Sequence, residues 1–235
     1  MTELNEGIAA LLGFMEDDEK CEYQPQKGWK CNLNGSSSAL ATQMGNKPTT
    51  TTKESALSAT CWPSQAHHLV PHIQLKAHAV AKWLKTGPSI YADTQYNVDH
   101  KNNGKWMPYA SDMDTWKKKP TQRRSLMFKI MRLSGIQMHQ GPHSRRNKYG
   151  IGATPYKERV NEYLELIRED AVSHYVGPPE CKDCKGKKQA KKYPPRNNTV
   201  KYVDAASELL EHDINDCLIF VSRIAAEFAL AGGFA

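Results

Sequence analysis

The sequence lacks a membrane-spanning run. Its apolar C-terminal stretch, Ile214 to Ala235, is interrupted by Asp216, Arg223 and Glu227, which argues against burial in a bilayer. It also lacks the opening of a secretory signal, because Met1 to Leu12 carries acids and no basic n-region. Six cysteines (21, 31, 61, 181, 184 and 217) in 235 residues are too sparse for a disulfide scaffold. Apolar residues make up 39%, below the usual share, so part of the chain is expected to be loop or linker. There is no repeat at a solenoid period. These absences leave a protein made in the cytoplasm, whose export would need a dedicated machine or carrier.

What is present begins with charge. Lysine and arginine number 32 against 25 acids, a formal net charge of +7. A basic protein accumulates near polyanions, nucleic acid above all; the plainer reading is solubilising charge.

Apolar spacing predicts the elements. Ile8, Leu11, Leu12 and Met15 suggest a short helix over 3–16. Residues 33–59 are rich in Ser, Thr, Asn and Gly and read as a flexible linker or mobile arm. Ile73, Ala77, Val80 and Leu84 predict one amphipathic helix from His72 to Lys85, stopped by Gly87-Pro88. His72 and His78 lie on it as solvated or capping residues. Two short strands within 89–109 are expected to join around Asn102-Asn103-Gly104, since Asn-Gly takes the positive φ angles of a tight hairpin. Ser125 to Leu133 reads as helix ending at Gly135. Thr154-Pro155 is a helix start, followed by an apolar face of Tyr156, Val160, Tyr163, Leu164 and Ile167 through about Asp170. Asp204 to Leu230 reads as one long helix with Leu210, Ile214, Cys217, Val221, Ala225 and Phe228 on one side.

Three histidine- and asparagine-bearing blocks stand out. The first is Ala66-His67-His68-Leu69-Val70-Pro71, the second Asn103-Gly104-Lys105-Trp106-Met107-Pro108, the third His139-Gln140-Gly141-Pro142-His143. Each alone is weak: a His pair is often surface decoration, Asn-Gly is usually a turn, and His-x-Gly-x-His is a loose metal pattern. Their order suits phosphodiester hydrolysis. That chemistry needs a base to activate water, a cation to neutralise charge, and something to fix the base. Imidazole suits the first role because its pKa lies near neutrality. At a strand end opening into a loop, one imidazole of the pair can face a metal and the other the attacking water. The Asn103 side chain is placed to bond backbone near the histidines and lock that loop.

With Tyr156-x-x-x-Val160, these blocks resemble the AHH nuclease family, a branch of the HNH/endonuclease VII (His-Me finger) superfamily found mainly in bacterial polymorphic toxin and secretion systems. The resemblance covers about residues 58–170. It implies an α+β fold, mainly helical around a ββα-metal core. It implies that His67 is a metal ligand, His68 the general base and Asn103 the structural asparagine. It implies that His143 and His139 complete the metal shell. Between His143 and the following helix the spacer Ser144 to Thr154 is longer than the family pattern; His143 is favoured as the ligand, with His139 a second ligand or a phosphate contact. The cation expected is Mg2+, with Zn2+, Ni2+ or Mn2+ also suited to a His-rich shell.

The corresponding organisation is an N-terminal arm and linker over 1–57, the nuclease domain over 58–175, and a basic CxxC segment with the C-terminal helix over 176–235. Basic residues flanking the blocks, Lys117, Lys118, Lys119, Arg123, Arg124, Arg145 and Arg146, are candidate phosphate contacts. His100 is a further one. No aromatic-basic platform or recognition-helix signature points to sequence specificity. Cys181-x-x-Cys184 is half of a structural Zn2+ site; His174, His212, Cys21 and Cys31 are the candidates for the other half, and a free thiol pair or reversible disulfide is the alternative. The resulting expectation is a metal-dependent, nonspecific DNase delivered by a secretion-system carrier or adaptor and neutralised by a cognate immunity protein. The alternatives are an RNase on the same fold, or a non-catalytic, zinc-stabilised nucleic-acid-binding protein.

Overall fold

A computed structural model describes residues 30–47, 64–87, 89–109, 119–139, 156–176 and 193–234. The elements run α1 (Ser37–Met44), β1 (Ser64–His68), α2 (His72–Ala77), a 3-10 helix (Ala79–Trp83), a 3-10 turn (Lys101–Asn103) and β2 (Gly104–Pro108). Then follow α3 (Pro120–Ser134), α4 (Tyr156–Val176), α5 (Asn198–Asn215) and α6 (Arg223–Leu230). The described elements are mostly helices, with one two-stranded antiparallel sheet, an α+β architecture. None of the described helices is long and apolar enough to cross a membrane. The chain divides into two compact units. The first takes the described parts of 1–35, 70–103 and 160–209, the second those of 36–69, 104–159 and 210–235.

In the second unit, β1 and β2 pair from Ser64↔Pro108 to His68↔Gly104. This corrects the hairpin expected within 89–109. Gly104 does not turn the chain: it opens β2, whose partner strand lies far upstream, and residues 101–103 form a 3-10 turn instead. Glycine is needed there for closeness. A Cβ on Gly104 would lie 2.4 Å from Met44 Sδ and 2.9 Å from Leu40 Cδ1. The helix that presses on it, α1, falls inside the stretch expected to be flexible. Ser36 caps it, its Oγ accepting from Ala39 N at 3.1 Å, and Leu40 is fully buried. One well-capped turn with one buried leucine outweighs a polar composition. The α3 helix starts with Pro120 at its first position and stops at Gly135, which takes the left-handed conformation at φ 67°. It packs with α6 through Met127, Ile130, Met131, Met138, Ile224, Ala225 and Phe228.

The long helix expected over 204–230 is two helices. At the end of α5, Leu218 N donates to Asp213 O (2.9 Å) and Cys217 N to Ile214 O (3.3 Å), with Cys217 left-handed at φ 59°. This is a Schellman stop with cysteine where glycine is usual, so composition gives no warning of it. Ser222 then caps α6, its Oγ accepting from Ala225 N.

In the first unit, Trp83, Ile90 and Ala171 form a core with Val172 and Tyr193 against it. The helix expected from His72 to Lys85 stops at Ala77. His78 is extended (ψ 149°) and its Nδ1 accepts from Val80 N at 3.2 Å, capping the 3-10 helix. The break rotates the face: Leu75, Val80, Trp83 and Leu84 are buried, whereas Ile73 is 72% exposed. The apolar face expected of α4 is buried at every position, from Tyr156 to Ile167, and the helix continues to Val176. The 3–16 helix and the Thr154-Pro155 start lie outside the described residues.

Candidate active site

β1 carries the histidine pair at its C-terminal end, His67 opposite Lys105 and His68 opposite Gly104. Alternation along the strand turns the two imidazoles to opposite faces, and both are almost buried, at 4% and 6% exposure. The His67 ring lies against His139, with centroids 4.8 Å apart and planes at 45°. His139 reaches this place on a short parallel bridge beside Tyr109. Its N–H donates to Pro108 O at 2.7 Å, and its ring stacks on Tyr109 at 5.5 Å and 26°. All of these residues belong to the second unit.

The first residue of α4 completes the surroundings of His67. Tyr156 Oη is 3.2 Å from His67 Nε2, 3.2 Å from His68 O, and in a short hydrogen bond to Leu69 O. Burial pushes the phenol far above its ordinary pKa, so it keeps its proton. That one proton goes to a carbonyl oxygen, and Oη is therefore an acceptor toward His67 Nε2–H. The same turn of α4 is anchored to α5 by Arg159 Nε and Asp213 Oδ2, 3.3 Å apart and each more than nine-tenths buried. Lys105, across from His67, is held by Glu211 (2.6 Å) and Asn215 (2.9 Å).

Asn103 acts in the first unit, in the residues that follow β1 and precede β2. Its Oδ1 accepts from Val70 N at 2.6 Å and from Ser207 Oγ at 3.0 Å. Its Nδ2 donates to Val70 O at 3.0 Å and Val98 O at 2.9 Å. A fully buried carboxamide has thus used both donors and two acceptor sites. It clips the backbone at Val70 to its own turn.

The donor set suits a divalent cation. Two imidazoles sharing one ion at about 2.0–2.1 Å hold their centroids roughly 4.5–5.2 Å apart, and the His67–His139 spacing of 4.8 Å falls in that range. Among the described residues no three His, Cys, Asp or Glu side chains converge. His143, favoured as the ligand in the sequence, lies outside the described residues, as do Lys117, Lys118, Arg145, Arg146, Cys181 and Cys184. Lys119 is exposed at the start of α3 and Arg123 is half-buried one turn on. Arg124 is committed within the protein, 3.2 Å from Glu227 and 4.8 Å over the Phe128 ring. His100 sits 4.0 Å from Asp204. Of the zinc candidates, Cys31 has its thiol pushed up to about 12 by burial and then by Asp93; His212 is 3.2 Å from Asp216.

Sequence reasoning missed three contributors. Tyr156 was visible as an apolar-face residue and in the Tyr156-x-x-x-Val160 block, with no role at the site assigned to it. Ser207 and Gln137 carry no motif: Ser207 is a polar residue in an otherwise apolar stretch of α5, and Gln137 lies in the coil after α3.

Residues 58–175 match a family model described as AHH, a nuclease family of the HNH/ENDO VII superfamily with conserved AHH. No curated protein and no solved structure matches the chain. The matched span contains the histidine pair at the end of β1, Asn103, His139 and Tyr156; the chain belongs to the AHH family of nucleases.

Proposed function

We propose that the protein is a divalent-metal-dependent endonuclease that cuts DNA with little sequence preference. The observation that carries this reading is the buried imidazole pair of His67 and His139, 4.8 Å apart, with His68 next in the strand. His67 and His139, joined by His143, would hold the cation. When bound there, a divalent ion supplies charge neutralisation at the phosphodiester and its leaving oxygen. His68, on the opposite face of β1, takes the proton from the attacking water. Asn103 serves as the structural asparagine, holding the backbone at Val70. Tyr156, its Oη 3.2 Å from His67 Nε2, orients that imidazole toward the ion. Nitrogen donors favour Ni2+, Zn2+ or Mn2+ over Mg2+, whose preferred ligands are oxygens. Lys119 and Arg123, with the basic residues around them in sequence, serve as phosphate contacts that carry no base information.

The biological role is a delivered antibacterial effector, made in the producer's cytoplasm and blocked there by an immunity protein. Support for that role is the family's usual setting and the net charge of +7, which an acidic inhibitor would match.

The test is plasmid cleavage by purified protein with Mg2+, Mn2+, Ni2+ or Zn2+, with and without EDTA, beside total RNA. Nicking and linearisation of plasmid by wild type, abolished by EDTA, is the expected result. His68→Ala should lose about 10²–10⁴ in rate with its melting temperature kept. An intact plasmid with every metal ends the nuclease reading, and cleavage of RNA alone reassigns the substrate. Wild-type expression in a bacterial cytoplasm should stop growth and degrade the chromosome, whereas His68→Ala should not.

A further inference from the structure

The family match ends at residue 175, yet the segment presenting His139 is held from well beyond it. Gln137, 2% exposed, spends its carboxamide on the junction between α5 and α6. Its Nε2 donates to Ile214 O at 2.6 Å and Ile219 O at 2.8 Å, and its Oε1 accepts from Val221 N at 3.0 Å. The next residue, Met138, accepts through its carbonyl a short hydrogen bond from Ser222 Oγ. The next again is His139, whose N–H is bonded to Pro108 O on the strand side. The extended run 137–139 is thus gripped by the junction at two consecutive residues and by β2 at the third. Three backbone groups of the junction converge on one glutamine, and a buried amide with three partners does not slide.

We infer that Gln137 is a positioning residue for His139, and that the α5–α6 junction sets the spacing of the His67–His139 pair from outside the matched nuclease region. The inference rests on reading those two histidines as metal ligands. The junction is shaped for this. The Schellman stop at Cys217 turns the chain so that Ile214 O and Ile219 O face the same amide, and Ser222 caps α6 while its hydroxyl reaches Met138 O.

The test uses the full chain and Co2+ as probe, read by its visible absorption and by titration, so that nuclease activity is not the readout. Wild type should bind Co2+ saturably, and His139→Ala should bind at least tenfold more weakly. Gln137→Leu, similar in volume but unable to bond the junction, should weaken Co2+ binding about tenfold and shift the absorption band. Ile90→Val, a core change in the first unit, should leave both unchanged. If Gln137→Leu fails to fold, Ser222→Ala replaces it, with about threefold weaker binding expected and rescue by Ser222→Thr, which keeps the hydroxyl. If the folded Gln137→Leu or Ser222→Ala protein matches wild type in affinity and band, the positioning role is wrong, while the ligand reading stands on His139→Ala. If wild type binds no Co2+, or His139→Ala binds as well as wild type, the ligand reading falls and takes this inference with it.

Discussion

Two buried carboxamides tie backbone segments together, each within its own unit, and they differ in what they leave behind when removed. Asn103 in the first unit ties Val70 and Val98 to its turn. Gln137 in the second ties the α5–α6 junction to the segment before His139. Both are almost completely buried, and most of their bonds go to backbone, Asn103 accepting in addition from the Ser207 hydroxyl. The partners of Gln137 are better insured: Ile214 O also accepts from Cys217 N. Asn103, by contrast, satisfies both the N–H and the C=O of Val70. The device is the same, and the number of groups it alone serves decides its weight.

Substitution of both amides breaks or confirms that contrast. Asn103→Ala strands three buried backbone groups, each worth about 1–3 kcal/mol; denaturant melts should show a loss of about 4 kcal/mol and no nuclease activity. Gln137→Leu should cost about 2 kcal/mol on the same scale. Equal losses would mean that neighbouring bonds do not compensate for Gln137.

Acidity sharpens the Asn103 side next. Asp204, one turn before Ser207 on α5, is pushed up to about 7, first by burial and then by Glu208, against a hydrogen bond from Asn102 that lowers it. His100, 4.0 Å away, is lowered by burial and by Lys101. For a carboxyl whose folded pKa is raised, stability is fully present below the unfolded pKa and is lost as pH rises through the folded one. Stability should therefore fall from about pH 4 to about pH 7, by roughly 2 kcal/mol after allowing for the exposure that Asp204 retains. Asp204→Asn should flatten that slope in melts taken across pH; an unchanged slope would remove Asp204 from the account.

Ser207→Ala takes one of the two hydrogen bonds from Asn103 Oδ1 and should cost about 1 kcal/mol, with Ser207→Thr closer to wild type. The smallest change lies on the other side. Cys217 is left-handed at φ 59°, a conformation glycine adopts freely, and Cys217→Gly should raise stability by about 0.5–1 kcal/mol without changing Co2+ affinity. A loss of stability would mean that the cysteine side chain packs better than its backbone suggests.

Much of this was legible one residue at a time. The α4 face, the stop at Gly135 and the capping role of His78 follow from spacing, φ freedom and side-chain reach. The hydrogen bonds of Asn103 also fall where its position relative to the histidine pair suggested. What misled was chemistry with two uses. Asn-Gly reads as a hairpin, but Gly104 is there to admit α1. Serine-rich sequence reads as linker, but Ser36 starts a helix. The apolar repeat through 204–230 keeps its phase across a Schellman stop that has no glycine to announce it.

By itself, then, the sequence determined the chemical inventory: which imidazoles, which amide and which helix faces were available, since side-chain type and local periodicity are properties of the chain alone. Tertiary structure decided which of them meet. His67 reaches His139 and Tyr156, and Gln137 reaches Ile214, Ile219 and Val221, because strand pairing and helix ends bring distant backbone together. Contacts across such separations depend on the packing of the whole second unit, which no window of the sequence contains.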